Sequence, residues 1–167
     1  VTAHGTAITG AFYDSLFATH PELLGLFNQG NQATGEQRQA LAASVVAYAS
    51  HLVGDGGPGF DRVLDRIAHK HASLGVQPAH YAVVARHLMA AVGEVLGDAV
   101  TPEVAAAWDE VYWLFATQLV AAEARLYTAT GTDAGDPWRP WQVVRRVGEA
   151  EDVVSLHLVP VEGERSE

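Results

Sequence analysis

The chain has 167 residues, enough for one domain with a real hydrophobic core. Ten Lys plus Arg stand against twenty Asp plus Glu, a net charge of −10 that repels phosphate backbones, and the one local basic pair is Arg145–Arg146. Nucleic acid is therefore not an expected partner. Cysteine is absent, which excludes disulfides, thiol nucleophiles and iron–sulfur ligation and fits a cytoplasmic setting. No apolar run has the length of a membrane span, and the first ten residues lack a secretory pattern. The chain does not open with methionine and reads as a processed or truncated product.

Most of the chain carries helical periodicity. Ile8, Phe12 and Leu16 recur at helical spacing between Thr6 and Thr19, with Phe17 widening the face. Pro21-Glu22 opens a short helix carrying Leu23, Leu24, Leu26 and Phe27. Residues 28–33 read as a polar loop, after which Thr34 caps a helix with the stripe Leu41, Val45, Tyr48 and Leu52. A glycine-rich loop at 54–59 precedes the cleanest stripe: Phe60, Val63, Leu64, Ile67, His71 and Leu74. Gly75 is placed to end that helix in a left-handed cap.

Pro78 opens a further helix with Tyr81, Val84, Leu88, Val92 and Val95, closed by Gly97. Thr101-Pro102-Glu103 starts a long one bearing Val104, Trp108, Val111, Phe115, Leu119 and Leu126. Beyond Tyr127 the pattern changes. Residues 131–140 are rich in Gly, Asp and Pro, and Val143 to Val147 and Val153 to Val159 read as two strands. A lone hairpin is marginal in water, so this tail reads as the beginning of a second domain.

His71 is the residue that carries chemistry. A histidine inside an apolar stripe is either a hydrogen-bonded core residue or a metal ligand. Haem needs an apolar slot, one axial nitrogen and a controlled opposite face. Phe27, Leu41, Val45, Ile67 and Leu88 are candidate walls, and Tyr13 and Gln37 a polar pair for the far side. Glu123 sits at the margin of an apolar face of the long helix, where a bare charge would be costly. His4, His20, His51, His80 and His157 have no partners at metal-ligand spacing, His69 points elsewhere on its helix, and His87 lies beside the Leu88 stripe.

An ordered series of segments resembles the haem domain of the bacterial flavohaemoglobins, which are nitric oxide dioxygenases. It comprises Ala11-Phe12-Tyr13-Asp14-Ser15-Leu16-Phe17, His20-Pro21-Glu22-Leu23 and Gly35-Glu36-Gln37-Arg38-Gln39-Ala40-Leu41. It continues with Ile67-Ala68-His69-Lys70-His71-Ala72-Ser73-Leu74, Gln77-Pro78-Ala79-His80-Tyr81, Ala107-Trp108 and Glu123-Ala124-Arg125-Leu126-Tyr127. The resemblance implies an all-α globin fold, a three-on-three helical sandwich, over residues 1–130 with most of the first helix missing. Residues 131–167 would then be a linker and a short β remnant of a reductase domain.

The resemblance also implies site roles. His71 is the proximal iron ligand of haem b, and Tyr81 and Glu123 hydrogen-bond its imidazole and make it a stronger electron donor. Tyr13 is the distal hydroxyl that donates to dioxygen, and Gln37 the distal glutamine. Thr34-x-x-Gln37 also fits a capping box, so Gln37 has two competing readings. Leu41 lies over the iron, Val45 and Phe27 flank the haem, and Lys70 faces the flavin half or a haem propionate. The implied activity is conversion of nitric oxide to nitrate with dioxygen, a detoxification, fed with electrons by a flavin reductase. An Arg-x-Tyr-Ser/Thr flavin motif and a Gly-rich nicotinamide loop are absent, so FAD is not expected on this chain and an external reductase is. Two alternatives remain: a single-domain globin that binds or senses oxygen without catalysis, and a haem-free helical scaffold.

Overall fold

The computed structural model describes residues 4–26, 36–54 and 59–161, the side chains of 36–38 excepted. Among them are five α-helices: α1 (Gly5–Thr19), α2 (Glu36–Leu52), α3 (Phe60–Leu74), α4 (Pro78–Leu96) and α5 (Pro102–Thr130). Short 3-10 helices at Pro21–Leu26 and Gly97–Ala99 follow α1 and α4. The contacts divide the chain into two compact units, Val1–Asp136 and Pro137–Glu167.

The helix boundaries have local causes. Pro78 and Pro102 occupy first-turn positions, where a missing N–H costs nothing. Thr101 Oγ1 accepts the Val104 N–H at 3.4 Å, and the His80 ring accepts the Gln77 N–H at 3.1 Å. Gly75, at φ 73°, turns the chain out of α3, and its N–H and that of Val76 return to the carbonyls of Ala72 and His71. Any side chain would be strained there, immediately after the helix that carries His71.

In the first unit α1 packs against α2 and α4, and α5 packs against α3 and α4. The α1–α2 crossing is close: a Cβ at Gly5 would lie 3.3 Å from that of Ala42. One core cluster joins Ile8, Phe12, Tyr13, Leu16 and Leu23 to Leu88, Ala91 and Val92. A second joins Tyr48, Phe60, Ala68 and Tyr81 to Phe115, Ala116 and Leu119. Full burial of side chains such as Phe12 and Leu16 contributes about 1.5–3 kcal/mol each. The apolar stripe of α3 is buried unevenly. Phe60 and Ala68 are enclosed, whereas Val63, Leu64, Ile67 and His71 are half-buried, so this helix keeps a partly open face.

The second unit is an antiparallel hairpin, β1 (Trp141–Ala150) with β2 (Val153–Pro160). The register runs from Trp141↔Pro160 to Ala150↔Val153, with irregularities between Val143 and Arg145 and between Gly148 and Ala150. Trp141, Val143, Val144, Val153, Val154, Leu156 and Leu158 are exposed.

Candidate functional site

His71 lies one turn before the end of α3, and its ring meets side chains from two other helices. Its Nδ1 is 2.9 Å from Glu123 Oε1 on α5 and 2.9 Å from the Tyr81 hydroxyl on α4. The Tyr81 O–H donates to the same Glu123 oxygen at 2.5 Å. Glu123 is only 2% exposed, and an ionised carboxylate buried so deeply requires partners. It only accepts, so the proton on Nδ1 is directed at it and the free lone pair of the ring lies on Nε2.

Burial, then the bond and charge of Glu123, pushes the Tyr81 hydroxyl well above the ordinary tyrosine range, so it stays a proton donor. Two further tyrosines hold the frame. The Tyr112 O–H donates to the Tyr81 carbonyl at 2.6 Å, and the Tyr127 O–H donates to the Val76 carbonyl, just past the Gly75 cap, at 2.9 Å. Burial raises both hydroxyls too, with the Glu123 charge adding to the effect at Tyr127. Sequence periodicity gave no reason to single out either, because each acts on a backbone carbonyl whose position only the tertiary fold sets.

The donor chemistry fits haem. The His71 side chain is 32% exposed, its Nδ1 is taken by oxygen partners, and Nε2 is the atom left to ligate. Tyr13 is buried on α1, packed beside Phe12 and Phe17, in the cluster against which Leu41 packs. Leu41 and Val45 line an apolar cavity of about 50 Å3 with Ile8, Leu88, Val92 and Phe115. His71 is not among the residues that line that void. Lys70 is exposed. Gln37 lies in α2, but its side chain, like the Thr34 capping box and Phe27, falls outside the described residues.

Among the described residues no group of three or more His, Cys, Asp or Glu side chains could hold a metal ion. No helix among them is long and apolar enough to cross a membrane. The fold does bring two of the set-aside histidines together. His87 is buried on α4 and lies against His20, which sequence spacing had left without a partner.

Comparison with known proteins places this geometry in a family. The model described as Globin matches residues 10–119. A flavohemoprotein of Bordetella pertussis is 45% identical over 162 residues, 96% of this chain and 40% of the relative. Another, from Deinococcus radiodurans, is 45% identical over 166 residues with the same coverages. The chain thus spans about 40% of the length of the curated relatives it matches. A flavohemoglobin from Malassezia yamatoensis, solved with bound FAD and heme, aligns with TM-score 0.83 and 35% identity over 96% of this chain and 42% of its own. A bacterial globin from Campylobacter jejuni aligns with TM-score 0.69 and 28% identity over 76% of this chain and 88% of its own.

Proposed function

The chain belongs to the globin family, and from that premise we propose that it is the haem domain of a flavohaemoglobin-type nitric oxide dioxygenase. In this reading His71 Nε2 holds haem b. Each turnover joins one nitric oxide and one dioxygen into nitrate, with one electron taken from a flavin reductase. The observation that carries the reading is the pairing of the His71 Nδ1 with Glu123 and Tyr81. Bound haem supplies the iron that takes dioxygen and passes single electrons.

The chain's own side chains set the conditions for that chemistry. Glu123 fixes the tautomer of His71 and raises its basicity, which favours O–O bond chemistry over simple oxygen carriage. Tyr81 shares the Glu123 oxygen and keeps the carboxylate from turning away. Tyr13 would supply a hydroxyl donor for the negative charge that develops on the oxygen substrate, the family resemblance gives Gln37 the distal glutamine role, and Leu41 would limit ligand size. By the same resemblance Val45 and Phe27 would contact the porphyrin, and Lys70 a propionate or the flavin half.

The hairpin unit reads as the first strands of a flavin-binding reductase domain, because the 96% coverage by the Malassezia flavohemoglobin takes in both units. Its exposed valines and leucines are those of strands meant for a larger sheet. No flavin site is assigned to these residues, and the electron donor is an NAD(P)H-dependent flavoprotein. The reaction belongs in the cytoplasm, where such donors are reduced.

The test is hemin reconstitution of the chain, followed by nitric oxide consumption and nitrate analysis with an added NAD(P)H-dependent flavin reductase. A Soret band and stoichiometric nitrate are expected, with Tyr13→Phe releasing dioxygen faster and consuming nitric oxide more slowly. Unchanged oxygen dissociation and turnover in Tyr13→Phe would remove its assignment. The Campylobacter bacterial globin, covered to 88% of its length, favours a second reading: oxygen binding or sensing without turnover. A Soret band without nitrate would select it.

A further inference from the structure

His20 is the residue that ends α1, and His87 lies in the middle of α4. Their rings meet edge to face, with centroids 5.5 Å apart and planes at 89°. Each outer nitrogen is engaged by an oxygen: His87 Nδ1 is 2.8 Å from Ser15 Oγ, and His20 Nδ1 is 3.0 Å from Glu22 Oε1. Each inner nitrogen is not: Nε2 of both residues is buried without a hydrogen-bond partner among the described residues. His87 is 8% exposed, so its orphan nitrogen is enclosed by protein. A buried polar atom left unpaired is rare and costly, and two on adjoining rings point to a shared partner.

The chemistry of these four side chains narrows what that partner is. Histidines that ligate metals generally donate their other ring N–H to a carboxylate or other oxygen, which fixes the tautomer and leaves a lone pair on the ligating nitrogen. Glu22, which only accepts, plays this part for His20, and the Ser15 hydroxyl is able to accept from His87 in the same way. Two imidazoles on one ion, with metal–nitrogen distances of about 2.0–2.1 Å and a tetrahedral to trigonal angle, put ring centres about 5–5.5 Å apart. The observed 5.5 Å lies at the upper end of that range, a separation that an ordinary edge-to-face contact also has.

The His20 side chain is 24% exposed, which leaves an approach from solvent. A bridging water that donates to both Nε2 atoms is the competing occupant, and the two are told apart by metal retention.

We propose that His20 and His87 form a metal site, separate from His71, that takes a divalent ion of the zinc and copper class through their Nε2 atoms. Water completes the coordination, and the bound ion ties the end of α1 to the middle of α4. The proposal does not depend on haem or on any activity.

Equilibrium dialysis of the full chain against Zn2+ at neutral pH tests it. About one equivalent is expected to be retained, accompanied by a rise in melting temperature, and Co2+ in place of Zn2+ is expected to show the visible bands of a low-coordinate site. His20→Asn and His87→Gln each weaken binding by at least about 10-fold, in line with loss of a ligand or its support. His71→Gln leaves retention unchanged. Glu22→Gln, at an exposed position that tolerates substitution, weakens binding several-fold and keeps the test decisive should the buried His87→Gln fail to fold. Absence of zinc retention, or equal retention in wild type and in both His20→Asn and Glu22→Gln, overturns the proposal and leaves a water between the rings.

Discussion

Tyr81 and Glu123 share a 2.5 Å hydrogen bond inside the helical body, and the carboxylate oxygen that receives it is the one that also faces His71 Nδ1. Tyr81→Phe removes the donor and leaves a buried carboxylate with one partner fewer. The expected loss is about 1.5–3 kcal/mol of folding stability, the range for a bond to a charged group. Urea unfolding of both proteins at pH 7 measures it; an unchanged midpoint would show that Glu123 does not rely on the phenol.

Glu123→Gln keeps the shape and removes the charge. The His71 ring loses its basic partner and becomes a weaker donor toward iron. In the haem-loaded chain the iron–histidine stretching frequency should fall and the reduction potential should rise. Reductase-supported nitric oxide consumption should drop by about 10–100-fold, the usual range for loss of a partner behind a metal ligand. Resonance Raman and redox titration read the first two effects independently of turnover.

Tyr127→Phe frees the Val76 carbonyl at the turn that follows α3. The cost should be about 1 kcal/mol, that of a single neutral hydrogen bond. Amide exchange localises it: protection should fall at residues 75–77 and hold in α1. A uniform change across the helices would argue against a local role.

Alkali should unfold the protein through its buried tyrosines. Burial holds the hydroxyls of Tyr81 and Tyr112 protonated in the fold, and Glu123 adds to this at Tyr81. In the unfolded chain tyrosine ionises near pH ~10. Below that pH both states keep the proton and the contribution is fully present. Above it the unfolded state binds fewer protons than the folded one, so stability falls as pH rises. Denaturant midpoints taken from pH 8 to 11.5 should therefore decline from about pH 10 upward, and less steeply in Tyr81→Phe.

Much of the helical body was legible in the sequence because its signals are local. The Thr101-Pro102 start, the Gly75 and Gly97 stops and the stripe through Phe60 and Leu74 each state a boundary or a face without reference to the rest of the chain. His71 stood out for the same reason, as a polar residue in an apolar series. Its enclosure did not. Periodicity predicts which face turns inward but not how completely it is covered, and the stripe around Ile67 remains half open. The His20–His87 contact was illegible, since neither residue has a neighbour at ligand spacing and Ser15 lies 72 positions from His87. Only the packing of α1 on α4 brings them together.

A single carboxylate oxygen ties side chains from three helices, with His71 on α3, Tyr81 on α4 and Glu123 itself on α5. The tilt of the imidazole is therefore a readout of how those helices are spaced. A sliding of α5 by a fraction of an ångström, whether from pressure, temperature or an encounter at its outer surface, would reach the ring as a change of hydrogen-bond angle. Mechanical disturbance of the helical scaffold and the electronic character of whatever the imidazole holds are in this way coupled through one atom.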